Sequence, residues 1–216
     1  MVWAHGGDVV DARAGKTLIN SKEAASGFEF LRAMWLDDKS MPTQSQLAQY
    51  GYDGFLAGIS AMGLSGHWVV PDYAATSFNW DVAPIPFGPA GRVTSVNSAG
   101  FVISKVSPNP DAAWEFVKYA TGEAGQTELA KIGSAIPIRE SVAKSDAYLV
   151  QVAKINHQMF VDALAYARVK PVFRGYEEWS AAVGDELSTI WSGDATVDDA
   201  LLEADNNGDA ALAKNK

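Results

Sequence analysis

The sequence lacks cysteine entirely and holds only three histidines. Without cysteine the chain has no disulfide, no thiolate metal site and no cysteine nucleophile. The histidines His5, His67 and His157 are scattered and show no HExxH-like spacing, which argues against a zinc site. We therefore predict neither a metal nor a cofactor for this protein.

Basic residues and long apolar runs are also scarce. The 17 Lys and Arg are outnumbered by 26 Asp and Glu, for a formal net charge of -9. This balance argues against nucleic acid and against anionic membrane surfaces as partners. No run approaches the roughly 18 apolar residues that a membrane span requires, so no membrane insertion is expected. The first residues also lack the basic region and apolar stretch of a signal peptide.

The remaining composition is that of a globular chain, with 48% hydrophobic and 20% charged residues among 216. Helical periodicity predominates, and short extended segments lie between the helices. We therefore predict an α/β fold with many helices and a small sheet. Helices are predicted after Asn20 or Ser21 and over residues 45–55, 111–120, 123–132, 149–166, 178–192 and 196–203. Strands are predicted over residues 59–64, 80–86 and 101–104, and the tail from residue 205 is expected to fray.

The stretch of residues 52–86 is the first candidate for a binding site. Its predicted strand, residues 59–64, stops at Ser65 and Gly66, and His67 and Trp68 follow directly. An aromatic ring just past the carboxyl end of a strand, beside a glycine, lies where an α/β sheet places a ligand. Trp68 is therefore the first candidate to stack on a ligand. The alternative is packing, which accounts for most tryptophans in proteins.

Acidic pairs are the feature that could indicate an enzyme, since glycoside hydrolysis needs two carboxylates. The pairs 177–178, 185–186 and 198–199 are adjacent in sequence on or beside predicted helices. Neighbouring helical positions diverge instead of facing one another, so these carboxylates are expected to be solvated. No GxSxG, GxxxxGK[ST] or GxGxxG pattern occurs either. We predict that the protein is not an enzyme, and a glycan-acting enzyme stays as an alternative.

Seven short segments follow one another along nearly the whole chain, from about Gly6 to Glu203. They are GGD at 6–8 with GK at 15–16, SKEA at 21–24, FLAGISAM at 55–62 followed by SGHW at 65–68, APIP at 83–86, SAGFVIS at 98–104, PDAAWEFV at 110–117 and IP at 136–137. In this order they resemble the extracellular solute-binding proteins of ABC importers. The resemblance is to the sugar-binding branch that includes maltose-binding and glycerol-phosphate-binding proteins.

The resemblance implies a periplasmic-binding-protein-like lobe with a small mixed sheet. Proteins of this family are much longer, with two α/β lobes joined by a hinge, and this sequence resembles only their later, carboxyl-terminal half. By the family pattern, residues 1–93 and 139–205 form the carboxyl-terminal lobe. Residues 94–138 form a hinge-crossing segment that belongs to the other, mostly missing lobe, and residues 206–216 form a tail.

The function implied by the resemblance is non-catalytic binding of a carbohydrate or related polyol for ABC-type uptake. It places the protein in the periplasm or outside the cell, with an ABC permease as partner. A truncated chain is expected to bind weakly alone, and the apolar residues of 95–138 are expected to be covered by the missing amino-terminal lobe or by a second copy. The alternative is a self-associating or interaction module without ligand binding.

The resemblance also implies site residues in the middle of the chain. Trp68 falls where relatives stack an aromatic ring on sugar, with Gly66 and His67 beside it. The alternative for His67 is an exposed loop residue. Asn97, Ser98 and Gly100 at the hinge are expected to offer polar groups to a ligand, with ordinary hinge hydrogen bonding as the alternative.

Further site residues are implied at the two ends of the chain. Trp3 precedes the Gly-Gly pair, where relatives often place a cleft aromatic residue. Arg174, Tyr176 and Trp179 lie at the entry to the helix of residues 178–192, which relatives use to close over the ligand. Core packing is the alternative for Trp3 and Trp179, and a surface ion pair with a neighbouring glutamate is the alternative for Arg174.

Overall fold

A computed structural model of the protein describes residues 1–150 and 154–214. Its contacts divide the chain into two compact units. The first unit comprises Met1–Tyr52, Ile85–Ser95 and Arg168–Lys216, and the second comprises Asp53–Pro84 and Val96–Ala167. These bounds differ from the lobes that the resemblance implies, because residues 53–84 and 139–167 group with residues 96–138. The assignment of residues to the two lobes of the family stays a prediction.

The described residues form many helices and few strands. The α-helices are α1 (Lys22–Arg32), α2 (Gln44–Gln49), α3 (Val70–Ala74), α4 (Pro110–Thr121), α5 (Glu123–Ile132), α6 (Glu140–Ala143), α7 (Asp146–Leu149), α8 (Gln158–Ala163), α9 (Tyr176–Ser192) and α10 (Val197–Ala213). The strands are β1 (Val10–Asp11), β2 (Lys16–Thr17), β3 (Thr94–Val96) and β4 (Ala167–Val169). β1 pairs with β2 and β3 with β4, in two separate two-stranded sheets. Short 3₁₀ turns cover Val2–His5, His67–Val69 and Leu164–Tyr166, and a π-helical turn covers Ala33–Asp37.

Side-chain caps begin α1, α2 and α10, and the caps of α1 and α10 lie where the sequence predicts these helices to begin. The hydroxyl of Ser21 accepts a hydrogen bond from the Ala24 backbone N–H at 3.2 Å, at the start of α1. Thr43 forms a capping box with Gln46 at the start of α2. The Thr196 hydroxyl accepts from the Asp199 N–H at 3.1 Å and caps α10. The predicted α5 and α9 end before glycines with left-handed φ angles, as expected for helix termini.

The three strands predicted between the helices are wrong. Residues 59–64, 80–86 and 101–104 have no regular secondary structure. A strand needs a neighbour to pair its backbone groups, and no described strand pairs with these segments. Met62 is 87% exposed, so the alternation of residues 59–64 buries no apolar face. The helix predicted over residues 45–55 is also shorter than expected, because α2 ends at Gln49.

The core of the first unit lies where α9 and α10 pack against α1 and the first strands. Its buried residues are Val10, Ile19, Phe28, Trp179, Val183, Ile190, Val197, Ala200, Leu201, Ala204, Ala211 and Leu212. Because Ala211 and Leu212 are buried, α10 continues to Ala213, and the expected fraying from residue 205 is wrong for the described part of the tail.

A hydrogen-bonded contact links distant parts of the first unit inside this core. The indole N–H of Trp179 donates to the Thr17 hydroxyl at 3.0 Å, and the Thr17 backbone N–H donates to an Asp209 carboxylate oxygen at 2.6 Å. Gly208 makes this contact possible, because a Cβ atom there would lie 2.4 Å from the Thr17 hydroxyl oxygen. The close approach joins β2, α9 and α10.

The second unit has a smaller core. Ala130, Val142 and Tyr148 are buried together, and Ile136, Leu149 and Val161 pack against them. The helix predicted over residues 149–166 is replaced by α7, which ends at Leu149, and by α8 with the 3₁₀ turn after it. Residues 151–153 of that prediction lie outside the described residues.

None of the helices among the described residues combines the length and apolarity needed to cross a bilayer.

The packing at Gly208 predicts that Gly208→Ala destabilises the protein. The added methyl would lie 2.4 Å from the Thr17 hydroxyl oxygen and 3.0 Å from the Trp179 indole nitrogen. We expect the free energy of unfolding, measured by urea titration, to fall by about 1–3 kcal/mol, as for other overpacked cores.

The matched control is Gly184→Ala in α9, where an added Cβ meets nothing within 4 Å. There the greater helix propensity of alanine should leave stability unchanged or raise it by up to ~1 kcal/mol. Equal effects of the two substitutions would contradict the close packing at Gly208.

Candidate functional site

The structure divides the predicted site residues between the two units. Trp3, Arg174, Tyr176 and Trp179 belong to the first unit, and Gly66, His67, Trp68, Asn97, Ser98 and Gly100 belong to the second.

Trp68 presents an exposed indole ring on the second unit. It lies in the 3₁₀ turn His67–Val69, which leads directly into α3. The side chain is 61% exposed, so its ring is available to stack on a ligand. Packing does not account for this tryptophan, and its contact with a ligand stays a prediction.

Gly66 makes room for the indole. A Cβ atom at Gly66 would lie 2.0 Å from Cζ3 and 2.3 Å from Cη2 of Trp68. The six-membered part of the ring therefore lies against the backbone of residue 66, where any side chain would displace it. Gly66 has φ of -102°, which other residues also adopt, so the requirement is for space alone.

His67 points into the second unit, and the alternative that it is an exposed loop residue is wrong. Its side chain is 6% exposed. The centroid of its ring lies 5.3 Å from that of Tyr148, 5.7 Å from that of His157 and 4.6 Å from that of Phe160. A ring buried in this way has little surface to offer a ligand.

The surroundings of His67 keep its imidazole neutral. Burial, and after it the charge of His157, lower the pKa of His67 to about 4, although the Gly133 backbone acts in the opposite direction. Burial also raises the pKa of the Tyr148 hydroxyl. At neutral pH, His67 therefore behaves as a buried aromatic ring.

The segment that leads to Trp68 is held by an aspartate instead of a strand. The Tyr73 hydroxyl donates a hydrogen bond to one Asp53 carboxylate oxygen at 2.9 Å, and the other oxygen accepts from the N–H groups of Phe55 and Leu56. Burial and the contact with Asp53 raise the pKa of Tyr73 to about 12. The ring of Tyr73 also contacts Phe55 at 5.0 Å between centroids. The sequence contains no pattern that predicts this support.

Asn97, Ser98 and Gly100 follow β3 and are exposed. A Cβ atom at Gly100 would meet nothing within 4 Å. Their polar groups are accessible, and their contact with a ligand stays a prediction.

Trp3 is held in a cluster with Asp8 and Arg168 in the first unit. Its indole N–H donates to one carboxylate oxygen of Asp8 at 2.9 Å. The Arg168 guanidinium donates to the other carboxylate oxygen at 2.9 Å and lies over the Trp3 ring, with Cζ 4.5 Å from the ring centroid. One carboxylate therefore holds both the indole and the cation stacked on it.

The charges of this cluster reinforce one another. Burial alone would raise the pKa of Asp8, but hydrogen bonds from Trp3, Arg168 and the Val9 N–H, with the charge of Arg168, lower it below its usual range. Asp8 is thus ionised at neutral pH. Sequence reasoning missed Asp8 and Arg168 as partners of Trp3, because 160 residues separate the ion pair and no spacing relates them.

Among the predicted site residues near the start of α9, Trp179 lies in the core of the first unit. Trp179 is 5% exposed, and its N–H is used by Thr17. Core packing therefore accounts for it, and we do not retain it as a ligand contact. Tyr176 is half-buried, with its ring 5.6 Å from that of Phe173, while Arg174 is exposed. Contacts of Tyr176 and Arg174 with a ligand stay predictions.

The described residues contain no cluster of three His, Asp or Glu side chains that could hold a metal ion. Each unit therefore carries its own candidate, built from aromatic rings and polar groups. The second unit has Trp68 with its supports Gly66 and His67, and the first unit has Trp3 with Asp8 and Arg168.

Several solved structures share this fold. An ABC substrate-binding protein from Listeria monocytogenes, in complex with cycloalternan, aligns with a TM-score of 0.81 at 23% identity, over 98% of this chain and 55% of its own. Maltose-bound MalE3 of T. maritima aligns with a TM-score of 0.78 at 21% identity, over 96% and 55% of the two chains. The GacH receptor of Streptomyces glaucescens aligns with a TM-score of 0.81 at 21% identity, over 100% and 56%. These similarities confirm the predicted helix-rich α/β fold class.

Sequence comparison identifies the family. A binding protein of Brucella abortus is 23% identical over 217 residues, which cover 99% of this chain and 52% of that protein. The maltodextrin-binding protein MdxE of Bacillus subtilis is 24% identical over 136 residues, or 61% and 32% of the two chains. This chain thus spans about half the length of the Brucella relative and of the solved structures. Residues 1–154 match the family described as bacterial extracellular solute-binding protein, and because this is more than half of the chain, the protein belongs to that family.

Proposed function

We propose that this chain binds a carbohydrate or a related polyol, without catalysis, for uptake by an ABC importer. The family description supports a role in the periplasm or outside the cell. The names of similar proteins support a sugar ligand, since they include a maltodextrin-binding protein and structures with maltose, maltotetraose and cycloalternan. An ABC permease is then the protein partner.

The observation that carries this proposal is the exposed indole of Trp68. Sugars present apolar C–H faces edged by hydroxyl groups, and a flat aromatic ring complements such a face. The ring is held by its contact with Gly66 instead of moving freely, which reduces the entropy lost when a ligand binds.

The first unit contributes a second candidate for sugar contact. The Trp3 ring is accompanied by a carboxylate and a guanidinium, which can accept from and donate to sugar hydroxyls. Because Asp8 and Arg168 neutralise each other, the cluster suits a neutral ligand better than a charged one. Tyr176, Arg174, Asn97, Ser98 and Gly100 stay as further proposed contacts.

We also propose that the isolated chain binds sugar weakly. Affinity depends on how completely a protein surrounds its ligand, and this chain spans about half the length of its relatives. The isolated chain would therefore lack the ligand contacts that relatives make through residues outside the matched region.

A second candidate function is interaction with another polypeptide through residues 95–138. This segment leaves apolar side chains uncovered in the second unit, and Val102 is 93% exposed. The other exposed apolar side chains of the segment include Phe101, Ile103, Val106, Trp114, Phe116, Tyr119, Leu129, Ile132 and Ile138. We propose that a polypeptide equivalent to the unmatched part of the relatives covers them. In its absence, a second copy of this chain would do so.

The stacking proposal predicts the effect of Trp68→Ala on sugar binding. NMR titration of the wild-type chain with maltotetraose should give a dissociation constant weaker than about 1 mM, and Trp68→Ala should weaken it about tenfold further, the value of one aromatic contact. The control is Trp114→Ala, which removes another exposed indole of the second unit and should leave binding unchanged. Micromolar binding by the wild-type chain would contradict weak binding, and an unaltered Trp68→Ala would contradict stacking.

The uncovered surface predicts self-association of the isolated chain. Sedimentation velocity should show a mass that increases with concentration, because apolar side chains of residues 95–138 are removed from water on contact. Val102→Glu should reduce this association, while Val172→Glu, at a valine of the first unit that is 87% exposed, should not. A monomer at all concentrations that also fails to bind an apolar dye would rule out the proposed surface.

A further inference from the structure

We infer that His67 is a positioning residue, whose buried ring anchors the turn that presents Trp68. The anchoring follows from the structure alone, and its consequence for sugar binding rests on the proposed function. The resemblance implies that His67 is part of the ligand site, and the structure assigns it a different role. His67 acts through its neighbour instead of touching the ligand.

The first argument is the depth of the anchor. His67 is inserted among Tyr148 at the end of α7, His157 just before α8, and Phe160 within α8. Tyr148 and His157 are almost completely buried. His67 in the turn that carries Trp68 is therefore fixed by contacts with residues that lie 81 to 93 positions later in the chain.

The second argument is the geometry of the turn. In a 3₁₀ helix, side chains at positions i and i+3 lie on the same side. His67 begins the 3₁₀ turn and Val70, three residues later, begins α3 directly after it; both are buried. Trp68 lies between them and must point away from that side. The two buried residues thus hold the indole outside the second unit.

The third argument is the fit of the indole against Gly66. The turn is closed by two backbone hydrogen bonds, from the Val69 N–H to the Gly66 carbonyl oxygen at 3.3 Å and from the Val70 N–H to the His67 carbonyl oxygen. Such a short turn has little rigidity of its own. The ring can keep its contact with residue 66 only while His67 and Val70 hold the turn in place.

The charged and titratable groups around His67 indicate how acid would act on the anchor. Tyr148 and His157 face the imidazole, the Gly133 backbone lies near it, and the Asp81 carboxylate accepts from the Asn156 N–H at 2.9 Å, next to His157. No carboxylate among the described residues is hydrogen-bonded to His67 to compensate a proton on its ring. Protonation would therefore place a charge among buried rings.

The anchor is tested by the ¹H–¹⁵N NMR signal of the Trp68 indole N–H, assigned with Trp68→Phe. His67→Ala removes the anchoring ring and should shift or broaden this signal, while His67→Phe retains a ring and should restore it. Gly66→Ala should also shift the signal, because the added methyl displaces the indole. Gly184→Ala, in α9 of the first unit, where a Cβ meets nothing within 4 Å, should leave it unchanged.

Maltotetraose titration of the same variants tests the consequence for binding. His67→Ala and Gly66→Ala should weaken binding about tenfold, and His67→Phe by less than about twofold, since only the former disturb the stacking ring. An unchanged Trp68 signal in a folded His67→Ala protein would overturn the anchor. If His67→Ala unfolds, a wild-type Trp68 signal in Gly66→Ala would overturn it. Absence of sugar binding by the wild type would count against the proposed function only, because the indole signal still reports on the anchor.

Stability at two pH values gives an independent measurement of the anchor. The pKa of His67 is about 4 in the folded protein and about 6.5 for an ordinary histidine. The unfolded chain therefore binds the proton first, so stability is complete above about pH 6.5 and is lost as the pH falls towards 4. The urea midpoint of the wild type should fall between pH 7 and pH 5.

His67→Phe should show a smaller fall of the urea midpoint, because the titrating ring is absent. Tyr148→Phe is the matched control, since it removes a hydroxyl from the same cluster and leaves the imidazole in place; it should keep the wild-type fall. Equal pH dependence of the wild type and His67→Phe would contradict the burial of a neutral imidazole.

Discussion

Burial of Trp179 against Thr17 and Gly208 is the contact on which the first unit depends. This unit is assembled from three separate stretches of chain, and the contact joins β2 to both α9 and α10. The indole is apolar over most of its surface and its N–H finds a partner in the Thr17 hydroxyl, so burial leaves no polar group of the ring unsatisfied. The Thr17 backbone N–H adds a hydrogen bond to Asp209, so the same place in β2 contacts both of the last two helices.

His67 and Trp68 are adjacent aromatic residues with different roles. His67 anchors the turn, and Trp68 is exposed by it. The imidazole is neutral and fills a space among other rings, whereas the indole remains in contact with water. Stacking sites need rings held in place, because a freely rotating ring loses entropy when a ligand binds. Gly66 completes the arrangement by leaving room for the indole beside the backbone.

The Trp3 ring is also held in place, but by hydrogen bonds and charge instead of by a buried neighbour. Asp8 accepts from the indole edge and from Arg168, so the tryptophan and the cation stacked on it share one ionised carboxylate. The two candidate rings are thus restrained by different forces. A restrained aromatic ring loses little entropy when another molecule stacks on it.

The sequence by itself determined the features that depend on neighbouring residues: the caps at Ser21 and Thr196, the bounds of α5, the fold class and the family. It also made Trp68 a candidate, from its place just after a glycine, and the family resemblance added Trp3. The strand over residues 59–64 was wrong, because a strand exists only where a partner lies beside it. Only the tertiary structure decided that His67 is buried and that Arg168 meets Asp8, since these contacts join residues far apart in the chain, and local sequence carries no record of which distant side chains will surround it.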